Sequence, residues 1–204
     1  SPRLKQPRPK SELYFPCASE IANLRHADFA CDLPEVSIII PVHNHLDLTQ
    51  SCLASLLLHR SDIAFEVIVV DDASDDDSRA FLCDIKGLRL LHIDLQSGYV
   101  LACNKGASEA RGKMLVFLNN DTVVQAGWLD ALLDLFDRFP DSGIAGAKLL
   151  YPNGVLQEAG GAIFNDGSVW NTGRFEQADN ARYNYVREVD YVSGATLAIR
   201  KKVF

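Results

Sequence analysis

Leu115-Val-Phe-Leu-Asn-Asn-Asp-Thr122 is an apolar run that stops abruptly at four polar residues. A strand buried on both faces of a parallel sheet reads as a near-continuous hydrophobic run. Polar groups just past its end then lie at the carboxyl edge of the sheet, where open α/β folds bind ligands. Asp121 is on this ground a candidate metal-site or phosphate-site carboxylate.

A second run ends in the same way. Phe65 to Val70 is apolar apart from Glu66, rich in β-branched residues, and breaks into Asp71, Asp72, Ala73, Ser74 and Asp75. Acidic residues at two strand ends of one sheet face a shared crevice. Ionised carboxylates accept hydrogen bonds and are hard oxygen ligands, so such a crevice suits hydroxyls, a base edge or a divalent cation. It repels a bare phosphate unless a cation accompanies it. Of these acids, Asp72 is the stronger ligand candidate; Asp75-Asp-Asp77 reads as helix-start charge, placed where the dipole favours it.

Outward from these two runs the chain alternates. Val36 to Ile40 predicts a strand that exits through Pro41, Val42, His43 and Asn44, because proline blocks further ladder pairing. Helices are expected over 46–59, 76–85, 98–110 and 126–139, and strands over 65–71, 88–93 and 113–118. Strand and helix alternating this regularly imply right-handed βαβ units and a mostly parallel sheet flanked by helices, an α/β fold. Gly98, Ala102, Gly106, Ala107 and Ala110 make one helix thin, which permits close packing on a sheet or close approach to a ligand. Asn104 within it needs a hydrogen-bond partner if buried. After Pro140 the segments 144–151, 155–164, 168–170 and 186–199 are strand-like and glycine-punctuated, predicting a mixed or antiparallel C-terminal extension.

Composition bounds the function. The 204 residues are 48% apolar and 23% charged, enough for one substantial core. A net charge of −7 without a dense basic stripe argues against nucleic acid as a polymeric partner, since that binding rests on neutralising phosphates. The five cysteines, Cys17, Cys31, Cys52, Cys83 and Cys103, are odd in number and lack a C-x-x-C pair. They read as reduced thiols, mostly buried, in a cytoplasmic setting. No apolar stretch approaches the roughly 18 residues of a membrane span. Residues 1–34, carrying Pro2, Pro7, Pro9, Pro16, Arg3, Lys5, Arg8 and Lys10, read as a proline-rich basic linker or N-terminal extension, the other reading being contact with an anionic membrane. The ordered domain is expected over 35–204.

Six segments in order carry a resemblance. They are Val36-Ser-Ile-Ile-Ile-Pro-Val-His-Asn44, Val69-Val-Asp-Asp-Ala-Ser-Asp75, Gly98-Tyr-Val-Leu-Ala-Cys-Asn-Lys-Gly106, Ala110-Arg-Gly112, Phe117-Leu-Asn-Asn-Asp-Thr122 and Val192-Ser-Gly-Ala-Thr-Leu-Ala-Ile-Arg200. Together they resemble family 2 glycosyltransferases of the GT-A fold, of the bacterial polysaccharide and rhamnosyltransferase kind. The resemblance implies an inverting transferase that moves a sugar from a UDP- or dTDP-linked nucleotide-diphospho-sugar to a saccharide or lipid-linked acceptor. Pro41, His43, Asn44, Asp71 and Asp72 would then belong to the nucleotide-sugar site, with Asp72 accepting from a pyrimidine ring N–H, and Gly98 and Asn104 would shape the pocket floor. Asn119-Asn120-Asp121 takes the place of the D-x-D-like motif, with Asp121 holding Mg²⁺ or Mn²⁺ against the diphosphate.

Two departures are visible: one of the three D-x-D-like positions is a carboxylate, and Gln96 stands where many relatives carry Asn. In the family the general base lies in an acidic motif after the Ser193-Gly194-Ala195 stretch. It is expected beyond Phe204, so these residues would hold the donor and metal site and transfer sugar weakly alone. The resemblance also implies a parent protein in polysaccharide assembly, cytoplasmic or at the inner membrane face with peripheral membrane association. Two other classes compete: a non-catalytic nucleotide-sugar-binding module, and a phospho-acceptor receiver domain. The receiver is disfavoured because the acidic pair follows the second strand and glycine-rich strands follow the last helix.

Overall fold

The computed structural model describes residues 13–204. The strands β1 (Val36–Val42), β2 (Phe65–Asp72), β3 (Arg89–Ile93) and β4 (Met114–Leu118) pair in parallel, in the order β3-β2-β1-β4. Between them run α2 (Leu46–Leu58), α3 (Ser78–Cys83) and α4 (Tyr99–Glu109), with α5 (Trp128–Arg138) after β4. The sheet is completed by β5 (Ile144–Gly146) and β10 (Thr196–Arg200), with β10 antiparallel between β4 and β5. The alternation expected from the sequence is therefore present, and the sheet is mixed at its far edge.

Strand alternation divides the core in two. Val36, Ile38, Ile40, Val67, Val69, Val116 and Leu118 face a large cluster with Cys52, Leu53 and Leu56 of α2 and Leu129, Leu132 and Phe136 of α5. Ile39, Ile68, Val70, Leu115 and Phe117 face the thin helix α4 through Ala102, Cys103 and Ala107. At Gly106 a Cβ would stand 2.4 Å from Ile39 Cγ2, so α4 lies against the sheet at a distance only glycine allows there.

The folded unit starts upstream of the boundary expected near Pro34. A short helix, α1 (Ala18–Ala22), runs into a single 3₁₀ turn, Asn23–His26, and both Leu24 and Phe29 are fully buried in the larger core cluster. Phe29 donates its amide to the Lys86 carbonyl at 2.9 Å, and Asp28 pairs with Lys86. Leu24 and Phe29, with Ile21 and Ala27 packed against the same cluster, anchor this segment to the core, which proline content alone hid. The basic residues Arg3, Lys5, Arg8 and Lys10, and the linker or membrane role expected for them, lie outside the described residues.

Lys148–Tyr191 forms a second compact unit. It holds two small antiparallel pairs, β6 (Leu149–Leu150) with β7 (Leu156–Glu158), and β8 (Gly161–Ile163) with β9 (Val169–Asn171). The longer strands expected over 144–151, 155–164 and 186–199 are broken. Gly154, Gly160 and Gly167 turn the chain with φ near +80°, and of 186–199 only the end enters the main sheet. Nor are most cysteines buried: Cys52 and Cys103 are, whereas Cys31 is half-buried and Cys17 and Cys83 are exposed, all as free thiols. Among the described residues no helix is long and apolar enough to cross a membrane.

Candidate functional site

The carboxyl ends of β1, β2 and β4 open onto one cleft. Pro41, Val42 and His43 line it from β1, Asp72 from β2, and Asn119 and Asn120 from the turn after β4. The loop before α4 and the helix start supply Gln96, Gly98, Tyr99 and Ala102.

Asp72 is the most constrained group. Its Oδ1 accepts the Ser97 amide and the Ser97 hydroxyl, both at 2.8 Å, and its Oδ2 accepts the Gly98 amide at 2.7 Å. Burial raises the carboxyl pKa, but these hydrogen bonds outweigh it and hold Asp72 below the usual carboxylate range. It is thus ionised at neutral pH, with two donors on one oxygen and one on the other. Since a carboxylate has about four acceptor positions, acceptor capacity is left for a ligand N–H or O–H.

Strand alternation separates Asp72 from its neighbour. Asp72 continues the row of Ile68 and Val70, toward α4, whereas Asp71 continues that of Val67 and Val69. Asp71 is fully buried, its Oδ2 against His92 Nδ1 at 2.8 Å and its Oδ1 accepting the Ser74 amide. It braces β3 and the loop after β2, outside the cleft lining.

His43 donates from Nδ1, because its partner at 2.8 Å is the Asp72 backbone carbonyl, which only accepts. In the neutral ring Nε2 is then an acceptor. Asn44 and His45 follow with positive φ, 61° and 59°. The Asn44 side-chain oxygen accepts the amides of Asp75 and Asp76, and its own amide donates to Ser74 Oγ. Asn44 therefore ties the loop after β1 to the loop after β2 and does not line the cleft. Asp76 Oδ1 accepts the Ser78 amide at the start of α3, in keeping with a helix-start role for that acidic run.

On the third side, Asn120 donates from Nδ2 to Thr49 Oγ1 of α2 at 3.0 Å, and the Asn119 amide donates to the Ala195 carbonyl at 3.0 Å. The Asn119 Oδ1 is buried with no hydrogen-bond partner. Asp121 is exposed and follows directly in the chain. Burial, and then the Asp121 charge, push the Cys52 thiol of α2 well up, so this cysteine is no nucleophile. An orphaned amide oxygen and a carboxylate two residues apart on one turn are hard-oxygen chemistry, and the residues fit Mg²⁺ or Mn²⁺ in that respect. Among the described residues no group of three or more His, Cys, Asp or Glu side chains is arranged to hold a metal. A cation here has to draw on ligand phosphates and water as well.

The cleft thus gathers Pro41, His43, Asp72, Gly98, Asn119 and Asn120 from the expected set. Asn44, Asp71 and Asp121 stand next to it in sequence without lining it, and Asn104 is on the exposed side of α4, away from any pocket floor. Tyr99 was not singled out from sequence, although an aromatic opening a helix of small residues was the available signal.

Comparison with known proteins supplies the family. Residues 37–204 match the family profile described as Glycosyl transferase family 2. The chain is 30% identical over 181 residues to the uncharacterized protein y4gI of Sinorhizobium fredii, covering 84% of this chain and 20% of that one. It is 38% identical over 131 residues to the O-antigen biosynthesis protein RfbC of Myxococcus xanthus, covering 62% of this chain and 10% of that one. The crystal structure of S. aureus TarS 1-349 shares the fold with a TM-score of 0.53 at 20% identity, over 82% of this chain and 47% of that one. The chain thus spans a fifth or less of both relatives. The matched region takes in every strand end that builds the cleft: this chain belongs to glycosyl transferase family 2 and has the GT-A fold.

Proposed function

We propose that the cleft binds the nucleotide diphosphate of a sugar donor, UDP- or dTDP-linked, and serves inverting transfer of the sugar to a saccharide or lipid-linked acceptor. The observation that carries this reading is the convergence of His43, Asp72 and Asn119-Asn120 from three strand ends, with family membership behind it. The name of the relative RfbC, an O-antigen biosynthesis protein, supports a saccharide product.

In this reading Asp72, held ionised by Ser97 and Gly98, accepts a ring N–H of the base. His43, oriented by the Asp72 carbonyl, closes the same end. Asn119 and Asn120 meet the ribose and diphosphate, and Asp121 with Asn119 Oδ1 would hold Mg²⁺ or Mn²⁺. When bound, such an ion stabilises charge on the departing diphosphate as a Lewis acid. The acceptor hydroxyl bonds to the anomeric carbon as that carbon's bond to the phosphate oxygen breaks, and a general base takes the hydroxyl proton.

Calorimetric titration with UDP and dTDP in the presence of Mn²⁺ tests the reading. It predicts saturable binding of one nucleotide per chain. No heat with either nucleotide would remove the donor site from the account and favour a module that has lost its ligand.

A further inference from the structure

Two walls of the cleft are joined through a loop far away in sequence. Tyr99, the first residue of α4, donates its hydroxyl to the Gly194 carbonyl at 2.8 Å, across 95 residues. The adjacent Ala195 carbonyl accepts the Asn119 amide at 3.0 Å and the Thr196 hydroxyl at 2.8 Å. Two successive carbonyls therefore tie the α4 wall to the turn that carries Asn119, Asn120 and Asp121.

The contact is close on both sides. A Cβ at residue 194 would lie 2.9 Å from the Tyr99 hydroxyl oxygen and 3.4 Å from its ring carbon Cζ, so a larger residue there displaces the phenol. Burial, and then the nearby Cys103 thiol, push the Tyr99 phenol up, so it remains a protonated donor through neutral pH. Tyr99 also lines the cleft, which puts the clamp beside the ligand rather than behind the core.

Building on the donor-site reading above, we propose that Tyr99 is a positioning residue for the diphosphate end of the donor. By fixing Gly194 it holds the 193–195 loop, and through the Ala195 carbonyl it presets the Asn119–Asp121 turn before a ligand arrives. Preorganisation of this kind raises affinity by removing an ordering cost from binding.

Tyr99→Phe keeps the ring and removes the bond. In the presence of Mn²⁺ it is expected to weaken UDP by about fivefold to tenfold, the reach of one hydrogen bond, while UMP, which lacks the β-phosphate, changes less than about twofold. Gly194→Ala breaks the same contact from the other side, and the double variant is expected to lose no more than the worse single one. Equal losses for UDP and UMP, or additive losses in the double variant, would overturn the positioning role.

Amide exchange of the free protein reads the clamp without ligand. Tyr99→Phe is expected to speed exchange at Asn119 and over 193–196 and to leave α2 and α5 unchanged; wild-type exchange at Asn119 overturns the clamp. If the wild type binds neither UDP nor dTDP, the donor reading fails and the diphosphate role with it, whereas the exchange result separately keeps or removes the clamp.

Discussion

The Gly98 amide reaches the Asp72 carboxylate at 2.7 Å from a backbone with φ of +87°, a conformation that side-chain-bearing residues rarely adopt. This bond links the start of α4 to the carboxylate facing the cleft and, with the two Ser97 bonds, keeps that carboxylate ionised. Replacing Asp72 with Asn puts an NH₂ group among three donors, at least one of which loses its acceptor. Asp72→Asn is expected to cost about 1–3 kcal/mol of stability, measured by urea denaturation, and to weaken UDP binding at least tenfold.

Gly98→Ala separates backbone strain from packing. Nothing lies within 4 Å of a Cβ built at that position, so no clash follows. The backbone conformation alone is expected to cost about 1–3 kcal/mol, and the displaced amide to raise the UDP dissociation constant. A variant as stable as the wild type would show that the local geometry is easily relaxed.

Gly106→Ala tests the approach of α4 to the sheet. Its Cβ would meet Ile39 Cγ2 at 2.4 Å and Val70 Cγ2 at 3.1 Å, both stiff β-branched side chains in the smaller core cluster. Overpacking of about 1–3 kcal/mol is expected in spite of the better helix propensity of alanine, read as a lower thermal midpoint.

Glu66 should dominate the acid limb of stability. It is buried at the amino end of β2, accepts from Ser37 Oγ at 2.7 Å and the Arg111 amide at 2.7 Å, and pairs with the Arg89 and Arg111 guanidinium groups at 2.8 Å. Burial raises its pKa, yet these partners outweigh burial and bring it from 4.5 to about 2. A carboxylate whose folded pKa is depressed stabilises the protein above its unfolded value, and that contribution is lost as pH falls through the folded one. About 3 kcal/mol is accordingly expected to disappear between pH 4.5 and pH 2, and Glu66→Gln to flatten the urea-midpoint profile across that window.

The cleft was legible in the sequence where an apolar strand stops abruptly, which marks Asp72, His43 and Asn119 with Asn120 as strand-end groups. Separating Asp72 from Asp71 required only the side-chain alternation of Ile68, Val70 and Asp72, carried one residue beyond the apolar run. Asn44 was harder to place, because its partners are the amides of Asp75 and Asp76 on another loop. The insertion of β10 between β4 and β5 was out of reach, since strand order depends on a pairing between Thr196 and Leu118 far apart in sequence. Tyr99 is hidden for the same reason, and Leu24 and Phe29 because two buried side chains leave little periodic signal.

The most direct test of the central claim is UDP titration with and without Mn²⁺ on the wild type, on Asp121→Ala and on Asp130→Ala, an α5 carboxylate outside the cleft lining. The account predicts Mn²⁺-dependent binding to the wild type and to Asp130→Ala, with the dependence lost in Asp121→Ala. Binding that ignores both Mn²⁺ and the Asp121 substitution would contradict a metal-assisted diphosphate site at the end of β4.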